Sequence, residues 1–185
     1  MRAFLAVNLG KPMKANIAGF QERLKSRTRG IRWVNPDLLH FTLKFLGEIG
    51  TEDPQIFEKP LADLARETRA FHFTLGRLGA FPNRRNPRVI WLGMQSGAEQ
   101  LSLLAEKVEN VLGSSGYSKF SFFVPHLTIG RRKRNADVFF PAEIFQENPG
   151  CHPAGYVDRF FLMQSTLRPG GPVYTPLKEF LLDVF

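Results

Sequence analysis

Apolar and polar positions along this chain follow the period of a β-strand in most places and the period of an α-helix in three. Alternation or a short apolar run predicts strands over Arg2–Asn8, Ile31–Val34, Leu39–Leu46, Phe71–Leu78, Val89–Met94, Phe120–Arg131, Tyr156–Leu167 and Val173–Phe185. Apolar residues three and four apart predict helices over Met13–Leu24, Ile56–Ala65 and Leu101–Leu112. Because strands outnumber helices and several strands are joined by short loops, the pattern predicts an α+β fold with antiparallel sheets and helices packed outside.

Two of the predicted strands carry the same four-residue pattern of histidine, apolar residue, threonine and apolar residue. The copies are His40-Phe41-Thr42-Leu43 and His126-Leu127-Thr128-Ile129. Side chains in a strand alternate between faces, so each histidine shares a face with its threonine while the apolar residues point into the core. The same alternation places Lys44 beside Thr42, and Pro125 indicates that the second strand begins there or lies at an edge.

Each copy of the pattern follows a long predicted helix, which indicates an internal duplication with one motif in each half. No linker separates the halves. We therefore expect a single bilobal domain over residues 1–185, in which two strands together present two imidazoles and two hydroxyls to one small anion.

Composition narrows the function classes. The chain has 185 residues, of which 43% are hydrophobic, and a formal net charge of +8. The charge favours a polyanionic partner, although plain solubility would also explain it. The single cysteine, Cys151, excludes an internal disulfide and a thiolate metal cage and fits a reducing compartment. No apolar run approaches the roughly 20 residues that span a membrane. We expect a cytoplasmic monomer that does not bind membranes.

The histidines could also be structural. A lone histidine on an exposed strand face is usually a satisfied polar residue, and we interpret His72 and His152 in this way. Repetition of the motif favours a shared catalytic site for His40 and His126. The nearest acidic residues only flank the two strands, which does not favour a metal site. The motifs G-x-S-x-G and G-x-x-x-x-G-K-[ST] are absent, so we predict neither a serine hydrolase nor ATP use, and no metal or cofactor.

Two histidines without a metal suit concerted acid–base chemistry on a phosphodiester. Imidazole titrates near neutral pH, so one ring can be neutral while the other is protonated. The neutral ring takes a proton from the attacking water, and the protonated ring gives a proton to the leaving oxygen. The hydroxyls of Thr42 and Thr128 can donate hydrogen bonds to the non-bridging oxygens, where negative charge concentrates.

The paired motifs resemble the two H-x-T/S-x tetrapeptides of the 2H phosphoesterase superfamily. The chain is similar in particular to the bacterial and archaeal RNA 2′,3′-cyclic phosphodiesterases, also called 2′-5′ RNA ligases. The similarity extends over Arg2–Val7, Arg32–Val34, Leu38–Gly47, Phe81–Pro82, Pro87–Trp91, Phe123–Arg131, Ser165–Leu167 and Gly171–Tyr174. This resemblance implies a bilobal fold in which two antiparallel sheets form a central cleft with helices outside.

The resemblance also implies roles for individual residues. His40 would be the proton donor to the leaving 3′ oxygen and His126 the proton acceptor that activates water. The cyclic phosphate would open to a 2′-phosphate, and a 5′-hydroxyl in place of water would give a 2′-5′ linkage without ATP. Arg131 matches a family arginine that contacts phosphate. Simple alternation puts Arg131 on the opposite face from His126, so a bulge or a strand end would have to re-aim it.

Alternatives remain open at this point. The protein could be a non-catalytic RNA- or nucleotide-binding module on the same fold, or a 2H enzyme for another small cyclic or 2′-5′-linked nucleotide. The family places an aromatic ring against the base, but the sequence does not indicate which phenylalanine serves here. Two basic loops could line the site for an RNA backbone or form a solvated face. They contain Arg84, Arg85, Arg88, Arg132, Lys133 and Arg134.

Overall fold

The computed structural model describes residues 1–113, 117, 123–150 and 154–184. The elements within these residues are β1 (Arg2–Asn8), α1 (Lys11–Lys25), β2 (Ile31–Trp33), β3 (His40–Glu48), α2 (Asp53–Arg66), β4 (Phe71–Phe81), β5 (Val89–Ser96), α3 (Ala98–Gly113), β6 (Leu127–Arg132), β7 (Ala154–Val157), β8 (Arg159–Arg168) and β9 (Gly171–Leu181). Short 3₁₀ turns cover Pro36–Leu38 and Ala142–Gln146. The expectations for Cys151, His152 and the strand start near Phe120 lie outside the described residues.

The predicted strands and helices are present, with two differences in the strands. The apolar run after residue 153 divides at Asp158 into β7 and β8. The strand of the second motif begins at Leu127, one residue after the histidine, which agrees with the strand start that Pro125 indicated. The α+β class is therefore confirmed.

Antiparallel pairing joins all nine described strands into one sheet. Its order is β7-β4-β5-β6-β3-β1-β8-β9, and β2 pairs with the far end of β6. The two motif strands are neighbours at the centre, where a single residue pair, Phe41 with Leu127, connects β3 to β6. The resemblance implied two sheets. In the structure, the direct pairing of β3 with β6 instead joins the strands of both halves into one sheet.

The three described helices contribute their apolar stripes to one core. The larger apolar residues buried on the helices are Met13, Ile17, Phe20 and Leu24 of α1, Phe57, Leu61 and Leu64 of α2, and Leu101, Leu104, Val108 and Leu112 of α3. The apolar residues of both motifs, Phe41, Leu43, Leu127 and Ile129, belong to the same core. Burying them turns the histidines and threonines to the other side of the sheet. None of the helices in the described part of the chain is long and apolar enough to span a membrane.

A β-bulge follows the threonine in each motif, at the same place. Thr42 pairs with Ala6 and Lys44 with Leu5, so Leu43 is the extra residue of β3 against β1. In β6, Thr128 pairs with Trp91 and Gly130 with Ile90, so Ile129 is the extra residue against β5. A bulge inserts one residue and reverses the alternation beyond it.

The first bulge corrects the expectation that Lys44 shares a face with Thr42. Lys44 lies on the helix side of the sheet, where its Nζ donates to Glu109 Oε2 of α3 at 2.8 Å. The Lys44 side chain is buried, at 2% exposure, and that of Glu109 is partly buried, at 14%. The same alternation would bury Phe45, which is 55% exposed instead. Strict alternation fails here because Leu43 and Lys44 both face the helices.

Removing Glu109 should destabilise the protein, because it leaves the Lys44 ammonium buried without this carboxylate. We expect Glu109→Ala to lower the free energy of unfolding by about 3 kcal/mol, measured by urea denaturation. The double variant Lys44→Met with Glu109→Leu should recover most of that loss. Lys59→Ala breaks an exposed ion pair with Asp63 and should cost less than about 1 kcal/mol. If Glu109→Ala were as stable as the double variant, the buried ion pair would not have the stabilising role described here.

Candidate active site

The central strand pair brings the two motifs together on one face of the sheet. Because β3 and β6 are antiparallel with Phe41 opposite Leu127, His40 lies beside Thr128 and Thr42 lies beside His126. We call this side of the sheet, which carries the two histidines and the two threonines, the histidine face. The antiparallel register therefore puts the two imidazoles diagonally across the central pair.

Each imidazole is oriented by the same local hydrogen bond. The Nδ1 of His40 is 2.7 Å from the carbonyl oxygen of Leu38, and the Nδ1 of His126 is 2.7 Å from that of Val124. A backbone carbonyl can only accept, so Nδ1 carries the proton in both rings. Neither Nε2 has a hydrogen-bond partner among the described residues. Each histidine therefore has its Nε2 free to exchange a proton with a ligand.

Electrostatics favour the neutral form of both rings in the free protein. Burial lowers the pKa of His40 and of His126, and the two carbonyl hydrogen bonds oppose that effect. The positive charge of Arg131 lowers the pKa of both imidazoles further. Lys14, whose Nζ donates to the carbonyl of Asp37 at 2.7 Å, lowers the pKa of His40 alone. A bound anion would act in the opposite direction on both rings.

Aromatic rings pack against each imidazole. Phe4 and Tyr174 lie 5.0 and 5.2 Å from the His40 ring, between centroids. Phe81 and Trp91 lie 5.0 and 6.1 Å from the His126 ring. These contacts fix the ring planes and remove water from the histidines, which is the burial that depresses their pKa values.

Glycine at position 79 allows the Trp91 indole, which lies beside His126, to pack against the backbone of β4. Gly79 pairs with Trp91 across β4 and β5, and a Cβ at Gly79 would fall 2.2 Å from the indole ring. No alternation pattern identifies this contact, because it depends on which residues face one another in the sheet.

The second bulge turns Arg131 onto the histidine face. Alternation alone would put Arg131 opposite His126, but the extra residue Ile129 reverses the order beyond Thr128. Ile129 and Gly130 are both buried, whereas Arg131 is exposed. Its effect on the pKa of both imidazoles agrees with that position. The structure thus contains the bulge that the sequence required for Arg131.

A buried glutamine supports this bulge from α1. Gln21 is 2% exposed, and its Nε2 donates to the carbonyl oxygens of Val34 and Ile129, both at 2.9 Å. The carbonyl of Ile129 also accepts from the Val34 amide at 2.9 Å. Both amide hydrogens of Gln21 are therefore used, and they hold the extra residue of β6 in place. No sequence signal marks this role, because Gln21 lies next to the apolar stripe of an ordinary amphipathic helix.

The threonine hydroxyls are available to a ligand. Thr42 and Thr128 are partly exposed, and neither hydroxyl has a hydrogen-bond partner within the described part of the chain. Tyr174 also lies at this face, and burial raises the pKa of its phenol above the ordinary value. Together with the free Nε2 atoms, the histidine face offers hydrogen-bond donors, a cation and two proton-exchanging groups to one anion.

The two basic loops lie together but do not all face this site. Arg132 follows Arg131 and so points to the other side, where its guanidinium donates to Asn86 Oδ1 at 3.0 Å and to the carbonyl of Ala136 at 3.1 Å. The guanidinium of Arg84 lies 5.2 Å from the centroid of the Phe145 ring. These two arginines therefore make structural contacts within the protein.

Other features of the sequence lie away from the site. His72 lies in β4, exposed, with its ring 4.6 Å from that of Tyr156. Among residues 1–113, 117, 123–150 and 154–184, no three or more His, Cys, Asp or Glu side chains are grouped so that they could hold a metal ion.

The fold and this histidine pair define a class of protein, the two-histidine phosphoesterases. Residues 7–91, which include the first motif, match the family model described as LigT like Phosphoesterase. The chain is 35% identical to an RNA 2′,3′-cyclic phosphodiesterase of Methanothermobacter thermautotrophicus over 98% of its own length and 99% of the relative's. It is also 35% identical to the protein of the same name in Thermotoga maritima, over 97% and 94% of the two chains.

Solved structures agree with these relatives. Escherichia coli LigT in complex with 3′-AMP superposes with a TM-score of 0.81 at 30% identity, covering 98% of this chain and 97% of that one. A Thermus thermophilus protein superposes with a TM-score of 0.80 at 31% identity and 98% coverage of both chains. The chain belongs to the LigT-like phosphoesterase family of the 2H superfamily. This membership confirms the family resemblance that the sequence indicated.

Removing the charge of Arg131 should raise the pKa of both histidines, because a nearby cation disfavours the imidazolium form. We expect Arg131→Gln to shift the NMR titrations of His40 and His126 to higher pH. Lys14→Met should raise the pKa of His40 and leave that of His126 unchanged. A variant of Lys14 that moves both titrations equally would contradict the assignment of its charge to one imidazole.

Replacing Gln21 should destabilise the protein, because two buried carbonyls lose a donor. We expect Gln21→Met, which keeps the side-chain length, to lower the free energy of unfolding by about 1–3 kcal/mol. Gln100 is exposed on α3, and Gln100→Met should change stability by less than about 0.5 kcal/mol. Urea denaturation of both variants measures the difference. Equal stabilities would show that the amide does not hold the bulge.

Proposed function

We propose that this protein hydrolyses the 2′,3′-cyclic phosphate end of RNA to a 2′-phosphate, with His40 and His126 as the acid–base pair and without a metal ion. The carrying observation is the antiparallel register at Phe41 and Leu127, which brings two histidines with free Nε2 atoms onto one face. The names of the relatives, which span nearly the whole chain, support RNA 2′,3′-cyclic phosphate as the substrate.

In this mechanism the phosphate binds between the two imidazoles. His126 Nε2 accepts a proton from water as the water oxygen forms a bond to phosphorus. His40 Nε2 donates a proton to the 3′ oxygen as the bond between phosphorus and that oxygen breaks. The products are a 2′-phosphate and a 3′-hydroxyl. The environments of the two motifs are closely similar and do not distinguish the donor from the acceptor. We therefore assign these two roles as in the family.

The negative charge of the substrate stabilises the protonated form of the histidine that acts as the acid. Burial and Arg131 disfavour imidazolium in the free protein. The negative phosphate raises the pKa of a neighbouring imidazole, so protonation of His40 accompanies binding. Thr42 and Thr128 donate to the non-bridging oxygens, and Arg131 contributes positive charge where negative charge grows. Burial of both rings among aromatic side chains strengthens these interactions.

The same arrangement supports ligation. If the 5′-hydroxyl of a second RNA replaces water, His126 can accept its proton and the product is a 2′-5′ linkage. The bond that breaks is the same, so no ATP is required.

The bilobal duplicated frame that we infer from the paired motifs accounts for the similarity of the two histidine environments.

Hydrolysis of nucleoside 2′,3′-cyclic phosphates and of RNA with a cyclic end, assayed in EDTA, tests this proposal. We expect activity to persist in EDTA and kcat to fall about 100- to 10,000-fold in His40→Ala and in His126→Ala. His72→Ala is the matched control, since His72 lies in β4 beside Tyr156 and should retain wild-type kcat.

Three outcomes would contradict the proposal. Loss of activity in EDTA would reject the metal-independent mechanism. Near-normal kcat in either histidine variant would reject that residue's role. Binding of cyclic-ended RNA without turnover would identify the protein as a binding module instead.

A further inference from the structure

Two arginines face each other beside the proposed active site. Arg32 of β2 pairs directly with Arg131 of β6 in an antiparallel register. Directly opposed residues share a face of the sheet, and their Cβ atoms lie only about 4.5–5.5 Å apart. Both side chains are exposed. The register therefore puts two arginine side chains at directly opposed positions at the end of the histidine face.

Burial of the neighbouring residues shows which way Arg32 points. Ile31 is 6% exposed and belongs to the core, and Trp33 packs against that core. A Cβ on Gly130, which pairs with Trp33, would fall 2.9 Å from Ile31 Cγ2 and 3.2 Å from the Trp33 ring. Since these residues lie on the helix side, Arg32 lies on the other side, together with Arg131.

No ion pair with a described residue neutralises these two arginines. Neither Arg32 nor Arg131 makes an ion pair or a side-chain hydrogen bond within the described part of the chain, and the remaining residues carry no acidic side chain. Like charges directly opposed across two strands are destabilising. Arg27 and Arg159 show the alternative, since each forms an ion pair, with Glu147 and with Asp158. An anion between Arg32 and Arg131 would relieve the repulsion.

We propose that Arg32 and Arg131 together form a second anion subsite, which binds the phosphodiester that precedes the cyclic phosphate in the RNA chain. This inference rests on the proposed function. Arg131 lowers the pKa of both histidines and serves the reacting phosphate, while Arg32, on the neighbouring strand β2, widens the positive surface at this end of the histidine face. A guanidinium presents a planar fork of donors that matches two oxygens of a phosphate. The pair would make the enzyme select RNA ends over mononucleotides.

A comparison of two substrates tests the subsite. One is a nucleoside 2′,3′-cyclic phosphate, and the other is the dinucleotide with the same cyclic end, which adds a single phosphodiester. We expect the wild-type protein to favour the dinucleotide in kcat/KM. Arg32→Gln should reduce that preference about 10-fold, the scale of one hydrogen-bonded charge pair. Arg32→Lys keeps the charge but loses the fork, and should give an intermediate ratio.

Arg29→Gln is the matched control. Arg29 is also exposed and lies two residues before β2, but its guanidinium lies over the Phe139 ring, 5.6 Å from the centroid. The Arg29→Gln substitution removes the same unit charge and should leave the ratio of kcat/KM for the two substrates unchanged. Thermal unfolding should find Arg32→Gln at least as stable as the wild-type protein, because the substitution relieves repulsion.

The outcomes separate this inference from the proposed function. An Arg32→Gln variant that loses both substrates equally, or neither, would overturn the second subsite while the wild-type activity stands. If Arg29→Gln changed the ratio of the two kcat/KM values as much as Arg32→Gln does, the effect would come from the loss of any nearby positive charge. That result would also overturn the second subsite. If the wild-type protein turned over neither substrate, the proposed function would fail first.

Discussion

The pairing of Phe41 with Leu127 determines the rest of this site. Both residues are buried, at 1% and 0% exposure, in the core that the helices cover. A shift of one residue in either strand would expose these apolar side chains and send the histidine and threonine of that motif into the core. The same burial that stabilises the sheet therefore sets the register of the chemistry. The core itself thus aligns the proposed acid–base pair.

The two bulges place different side chains at equivalent positions of the two motifs. Leu43 and Ile129 occupy the same place in the two motifs, and each reverses the alternation beyond it. The residue five positions after the histidine thus returns to the histidine face in both strands. In the first strand it is Phe45, 6.2 Å from Phe4, and in the second it is Arg131. The backbone repeats while the chemistry at this position changes from aromatic to cationic.

Much of the site was predictable because it depends on local alternation. The order of strands and helices and the shared face of each histidine with its threonine followed from residue patterns, and the need for a bulge before Arg131 followed from alternation together with the family resemblance. The position of Lys44 was wrong, because the bulge at Leu43 depends on pairing with β1, which is distant in sequence. Gln21, Tyr174 and Trp91 were missed for the same reason. Each reaches its partner through long-range pairing or packing, and no periodic pattern marks such contacts.

The central claim is that one histidine protonates the leaving oxygen while the other activates the nucleophile. A cyclic substrate with sulfur in place of the 3′ oxygen tests it directly, because a thiolate leaves without a general acid. We expect His40→Ala to regain most of its lost kcat on this substrate and His126→Ala to remain impaired. Equal defects of both variants on the sulfur substrate would contradict the division of roles between the two imidazoles.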